Sequence, residues 1–403
     1  MEGNSRSPHA TASGRRPEVA QGHLPLPVAD GGSLTYEEFL VRYALARQPC
    51  FIKNVGAQWP ATTNWRNIRY FLEHEGVDLE YEVEAAAGPP CESREVETTV
   101  GEALRRIEAG SGEPFYLSAW PYVRGNSGSL ADDFVVPRYF ERSPKWVSHN
   151  VVLGNAATDM KWLYIGSKGT GSPTHIDTNL SSAWLWLARG RKEWVCAHGD
   201  DYELLTEGIG SAAYGYKNES DSEEGETETL PDFFHPELYE RWPKVSSARL
   251  YHGFQEEGMI CFNPSRCVHA VRNVCDSISL THNFLDATNV ADAMFDACRS
   301  MNEEILPMSM EPGMKPKTFV KMLAKMMGIS RKELSKTLSE LPGLLCDENL
   351  SSLIDAAASG AEDEESKRKC AEILRRELEV RLREVKPAFV SAATTLRDKL
   401  GLV

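Results

Sequence analysis

Between about Pro114 and Leu285 the chain is built from apolar runs only three or four residues long. They include Phe115-Tyr116-Leu117, Trp162-Leu163-Tyr164-Ile165, Ala183-Trp184-Leu185-Trp186, Glu193-Trp194-Val195-Cys196, Met259-Ile260-Cys261-Phe262 and Ile278-Ser279-Leu280-Thr281. Each is rich in aromatic or β-branched residues, too short for a helix, and bounded by Gly, Pro or Asn. Many short strands at near-regular spacing imply a sandwich or barrel and exclude a doubly wound parallel sheet.

Helical patterns flank this region. Leu34 to Leu40 reads as a helix start capped by Ser33 or Thr35, and Pro49-Cys50-Phe51-Ile52 as a short buried strand. Thr63 to His74 and Val100 to Ala109 have helical spacing. Beyond Asp286, Ser330-Arg331-Lys332-Glu333 forms a capping box, Leu334, Leu338 and Leu341 share one face, and Pro342-Gly343 ends the helix. Leu374, Leu378, Leu382 and Val385 make a second stripe, which fits either core or a dimer surface. The expected organisation is a disordered tail over 1–32, helices and strands over 33–113, a β core over 114–290 with an acidic loop at 217–230, and a helical region over 291–403.

The formal charge of −15 over 403 residues makes a phosphate backbone a poor partner. Nine scattered cysteines with no C-x-x-C pair argue against a disulfide framework and for a reducing compartment, cytoplasmic or nuclear. No run approaches the ~20 apolar residues needed to span a bilayer. The first 23 residues lack an apolar signal core; Arg6, Arg15 and Arg16 leave a transit peptide as the alternative to a plain tail.

The candidate chemistry sits in Gly166 to Asp177. In a strand, residues two apart face the same way, so His175 and Asp177 project together. An imidazole and a carboxylate suit a first-row divalent metal, and a second histidine would complete a facial triad with open positions. His269 is the best donor, because a strand and a Pro-containing turn lead into it. His252 and His282 compete; alternation sends His282 outward if Thr281 and Asn283 point inward. The bland reading is a surface histidine with a capping aspartate. No Lys-Ser/Thr follows the glycines to make a P-loop, and neither H-E-x-x-H nor G-x-S-x-G is present. Trp184, Trp186 and Trp194 read as core and pocket lining rather than an aromatic cage.

Together these motifs resemble the Jumonji C (JmjC) oxygenases, in particular their hydroxylase-type members. The resemblance rests on Trp162 to Gly166, the H-x-D, Ser182-Ala183-Trp184, Gly190 to Trp194 and Asp276 to Phe284, with Phe115 to Trp120, Val136 to Phe140 and Thr35 to Phe39 upstream. It covers roughly 34–300 and implies a double-stranded β-helix (a cupin-like jelly roll), mainly β with α, carrying N-terminal helices and an α-helical C-terminal region. It also implies Fe(II) on His175, Asp177 and His269, with 2-oxoglutarate and O2 as co-substrates. Lys192 matches the lysine that pairs with the distal carboxylate. Tyr116 and Thr281 match hydroxyl donors, Ser172 adds another, and Asn283 matches a nearby polar residue. Leu185 departs from the pattern, since demethylase-like members carry an asparagine there.

By the same resemblance the expected activity is hydroxylation of a protein side chain, lysine first, with a translation release factor as one target. The expected partner is a protein substrate with a basic segment, together with a homodimer through the C-terminal helices. Demethylation of methyl-lysine or methyl-arginine is the alternative enzyme reading, and a non-catalytic cupin-like binding module is the alternative of another class.

Overall fold

The computed structural model describes residues 22–90, 92–110, 112–122, 127–144, 147, 160–207, 209, 229–326 and 329–401. Their strands are β1 (Leu24–Pro25), β2 (Val28–Asp30), β3 (Cys50–Lys53), β4 (Glu82–Ala87), β5 (Arg94–Thr99), β6 (Phe115–Trp120) and β7 (Lys161–Gly166). Then follow β8 (Gly171–His175), β9 (Ser182–Arg189), β10 (Arg191–Ala197), β11 (Leu250–Glu256), β12 (Ile260–Asn263), β13 (His269–Asn273) and β14 (Ser277–Phe284). A five-stranded sheet has the order β1-β11-β10-β13-β8, and a nine-stranded sheet the order β2-β3-β12-β9-β14-β7-β6-β4-β5. Leu26, Trp194, Cys196, Tyr251 and Val271 beside the smaller sheet pack with Phe51, Leu185 and Cys261 of the larger one. The two sheets therefore close on a shared interior, in line with the sandwich or barrel expected from the short strands and with the jelly roll that the resemblance implies.

Alternation decides what each face does. On β9, Trp184, Trp186 and Ala188 join the outer core against the helices, while Leu185 faces the interior. Trp186 meets Trp59 and Trp65 edge-on, so this tryptophan pair is packing, as expected.

Ordered structure begins earlier than the expected boundary at Ser33. β1 pairs in parallel with β11 and β2 in parallel with β3, and Leu26 between them is buried in the interior. Strands of two and three residues are too short for a pattern to register, and Pro25 is tolerated in such a short edge strand, where a ladder donor can be spared. The expected helix over Thr63–His74 is interrupted: Pro60–Asn64 and Ile68–Glu73 are separate, with Asn67 capping the second through Arg69 N. Thr35 and Glu38 form the capping box that starts Tyr36–Phe39. Most of the acidic segment, 217–228, lies outside the described residues.

The C-terminal stripes are spent within the chain. Leu334, Leu338, Leu341, Leu374, Leu378 and Leu382 are all buried. The helix Glu364–Lys399 packs on Val290–Ser300, and its Arg381 donates to the carbonyls of Leu45 and Thr288. Near this joint, buried Asp292 accepts from Arg47 Nη2 and Arg266 Nε, each at 2.7 Å. Without the carboxylate Arg47 keeps Asp200 and Arg266 keeps Glu203, both exposed partners, so Asp292→Ala loses charged hydrogen bonds but strands no charge and is expected to cost about 1.5–3 kcal/mol. Urea unfolding would show this as a lower midpoint at unchanged slope.

Candidate metal and co-substrate site

His175 ends β8 and lies opposite His269 at the start of β13. Asp177 follows in extended conformation, so alternation carries it to the side of His175. One ligand atom from each of His175, Asp177 and His269 falls within 4.8 Å of the others. The Nδ1 of His175 lies 2.8 Å from the carbonyl of Pro173, and that of His269 lies 2.9 Å from the carbonyl of Cys267. Each Nδ1–H is thereby committed to a backbone acceptor, which leaves each Nε2 lone pair for a metal. Trp194 stacks on His269 with centroids 5.9 Å apart, and its indole donates to Gln255 at 2.9 Å. Burial and the facing His269 hold His175 well below the usual histidine range. Burial opposes charge on His269, but the Asp177 carboxylate and the contacts to Cys267 together outweigh it and favour a proton there.

The turn after Asp177 is strained. Asn179 and Leu180 both adopt left-handed backbone, with φ of 58° and 49°. Burial of Leu180 and a 2.6 Å hydrogen bond from Ser265 Oγ to its carbonyl hold the turn in place. Ser265 lies in the turn that leads to His269, so the two ligand-bearing segments are stapled together.

The remaining expected residues gather deeper in the same interior. Lys192 on β10 is fully buried and donates to Asn273 Oδ1 at 2.8 Å. Its ammonium lies 5.7 Å from the centroid of the Tyr116 ring. Burial pushes its pKa down to about 7. Tyr116 shares a hydrogen bond with Ser172, and burial raises its pKa. Thr281 has a buried hydroxyl oxygen with no hydrogen-bond partner. Asn283 shares the interior face, but its amide donates to Ser181 at 3.1 Å and so serves the strained turn as well. Leu185 is paired with Thr281 across the sheet and offers that neighbour only carbon.

The competing histidines are placed elsewhere. His252 Nε2 lies 2.9 Å from Glu193, which also accepts from Arg272 on the outer face of the small sheet. His282 points away from Thr281, as alternation requires, yet it is buried rather than solvated, between Glu141 and the Tyr122 hydroxyl at 2.7 Å. Two interior residues escaped the sequence reading. Tyr164 stands 5.8 Å from the Tyr116 ring; burial, then Asp177, raises its pKa. Asn273 is the acceptor for Lys192. Both were within reach of the period-two rule, Tyr164 two residues before Gly166 and Asn273 four after His269.

A clustered His₂-carboxylate set with both Nδ1 atoms turned to backbone carbonyls suits a divalent metal with open positions, which would take the place of the proton on His269. The chemistry of the second shell suits a dicarboxylate. A buried ammonium with only a neutral acceptor and a buried orphan hydroxyl both call for an anionic, hydrogen-bonding ligand. His269 and Asn273 are four residues apart on β13, ~13 Å along the strand. Lys192 pairs with Asn273 across β10 and β13 and its ammonium bonds to it, so the ammonium and the metal ligands stand toward opposite ends of β13.

A family model described as a cupin-like domain matches residues 36–289. The chain is 24% identical over 287 residues to the arginine-specific demethylase JMJ20 of Arabidopsis thaliana, covering 65% of this chain and 57% of that protein. It is 25% identical over 302 residues to the 2-oxoglutarate and iron-dependent oxygenase JMJD4 of Gallus gallus, covering 70% of this chain and 65% of the relative. A third relative is the bifunctional arginine demethylase and lysyl-hydroxylase psr-1 of Caenorhabditis elegans, 24% identical over 277 residues, covering 65% of this chain and 61% of that protein. The matches thus span less than two thirds of these relatives' own lengths. With the jelly roll, the clustered triad and a match over more than half its length, the chain belongs to the cupin-like domain family, and among its members it is similar to JmjC oxygenases.

Proposed function

We propose that the protein is an Fe(II)- and 2-oxoglutarate-dependent dioxygenase that hydroxylates a protein side chain, lysine first. The observation that carries this reading is Lys192: a fully buried ammonium, hydrogen-bonded to a neutral amide, in the same interior as the triad. Such a charge is costly without an anion, and the distal carboxylate of 2-oxoglutarate supplies one. A named relative, the oxygenase JMJD4, supports the choice of cofactor and co-substrate.

In this reading His175, Asp177 and His269 hold the iron. Lys192 binds the distal carboxylate, with Tyr116, Ser172 and Thr281 as hydroxyl partners and Asn283 beside them. The bound iron, O2 and 2-oxoglutarate together supply the power to oxidise an unactivated C–H bond. The balance is 2-oxoglutarate + O2 + R–H giving succinate + CO2 + R–OH. The protein fixes geometry: its carbonyl-anchored imidazoles orient the donors, and the apolar wall at Leu185, Cys261 and Val271 keeps the chamber dry.

The protein substrate in this proposal carries a basic segment, which suits a chain of formal charge −15. A translation release factor is one such target, met in the cytoplasm. With their leucine stripes buried, the C-terminal helices would have to form the proposed homodimer through their outer faces, where Val380 is exposed, and light scattering of the full chain would reveal it as twice the monomer mass. Demethylation is the second reading, favoured by the names of the Arabidopsis and Caenorhabditis relatives.

Mass spectrometry separates the readings. Basic peptides with unmodified and methylated Lys or Arg are incubated with the protein, Fe(II), 2-oxoglutarate and air. A gain of one oxygen on lysine is expected. Loss of a methyl group would replace hydroxylation with demethylation, and failure to form succinate with any peptide would sink the enzyme reading.

A further inference from the structure

Lys192 is not held by a simple pair. Asn273 Oδ1 accepts from Lys192 Nζ at 2.8 Å and from Ser277 Oγ at 2.7 Å. Asn273 Nδ2 donates to Thr170 Oγ1 at 2.9 Å, and Thr170 Oγ1 donates to the carbonyl of Ser167 at 2.7 Å. These bonds fix the amide orientation, because only oxygen can accept from an ammonium and a hydroxyl at once. Asn273 is 2% exposed, Ser277 1% and Thr170 1%, so no solvent competes. Gly166 makes the arrangement possible: a Cβ there would collide with the Tyr116 ring, with Thr170 Oγ1 at 2.7 Å and with Asn273 Nδ2 at 2.9 Å.

A carboxylate in place of this amide would also reach the ammonium, and would hold it more tightly. The chain instead places a neutral acceptor there, braced by two hydroxyl residues. The ammonium is aimed, but its charge is not cancelled. We infer that Asn273 is a positioning residue that keeps the charge of Lys192 available to the ligand, and so makes the chamber selective for 2-oxo dicarboxylic acids over 2-oxo monocarboxylic acids. The inference rests on the proposed co-substrate reading and goes beyond it, since it assigns selectivity to a residue that need not touch the ligand.

The test uses the full chain loaded with Mn(II) and titrated calorimetrically with 2-oxoglutarate and with 2-oxopentanoate, a monoacid of equal chain length. Asn273→Asp is nearly isosteric and places a fixed anion against Lys192. It is expected to weaken 2-oxoglutarate binding by about 100-fold or more, leave 2-oxopentanoate binding within a few-fold, and leave Mn(II) affinity and Tm unreduced. Ser277→Ala removes one brace and is expected to weaken 2-oxoglutarate binding several-fold at nearly constant Tm. Wild-type affinity in Asn273→Asp overturns the inference. So does parallel loss of both oxo acids, Mn(II) and Tm, which would mark Asn273 as merely structural; Ser277→Ala, if unchanged in binding, does the same should Asn273→Asp fail to fold. If the wild-type protein itself takes up Mn(II) but not 2-oxoglutarate, the co-substrate reading falls first and the inference with it.

Discussion

Replacing Lys192 with methionine is expected to abolish 2-oxoglutarate binding while making the folded chain more stable. The two effects share one cause. Burial drives the lysine pKa from 10.5 to about 7, so the fold holds a group whose charged form it disfavours. Between pH 7 and 10.5 the unfolded chain binds more protons at this site than the folded one, and stability rises with pH across that window. At or below pH 7 the cost is fully present, and an apolar side chain of similar volume removes it. Lys192→Met is therefore expected to gain about 1–4 kcal/mol near pH 7, shrinking as pH approaches 10. Urea unfolding of both proteins at pH 6.5, 8 and 9.5 measures the difference directly. A methionine variant no more stable than wild type at pH 6.5 would show that Asn273 and the Tyr116 ring already compensate the charge. The same variant should lose 2-oxoglutarate affinity by more than ~100-fold, since a dicarboxylate would then be buried without its cation.

The second large effect concerns the triad. His175→Ala removes one of three ligands, and metal affinity should fall by more than the ~10–100-fold that outer-shell partners are worth. Stability should barely change. The imidazole gives up its contact to the Pro173 carbonyl, a backbone contact at His269 and its packing on the His269 ring, a loss of order 1 kcal/mol, and a buried group that resists charge disappears with it. Iron content by mass spectrometry, with circular dichroism for the fold, reads the two quantities separately. Unchanged iron content in the folded variant would refute the ligand assignment, and unfolding would show that His175 is part of the core.

The β character of the middle of the chain was legible because alternation leaves its mark on every strand. Trp184 and Trp186 on one face of β9 and Leu185 on the other are readable without coordinates. The triad was legible for a related reason: His175 and Asp177 sit two apart, and His269 follows a strand and turn. What escaped was of two kinds. Strands β1 and β2 are two and three residues long, below the length at which periodicity says anything, and they exist through pairing with β11 and β3. Asn273 and Tyr164 lay on the correct faces, but their importance comes from neighbours distant in sequence, such as Thr170 and Tyr116, and only the fold brings those together. His282 shows the converse. Its direction was legible, but a side chain that leaves the interior of one layer enters another when helices cover the sheet.

Those two short strands bear on where the domain can be cut. The family match begins at residue 36, and a fragment trimmed to it would discard Leu26, which lies in the interior beside Phe51, Trp194 and Leu185. The loss would bare the backbone edge of β11 and of β3 and open a hydrophobic seam into the chamber. Exposed edges of that kind recruit other chains. The dozen residues before the recognisable domain therefore act as its selvedge, and a shorter version of this protein would trade a tidy boundary for a sticky one.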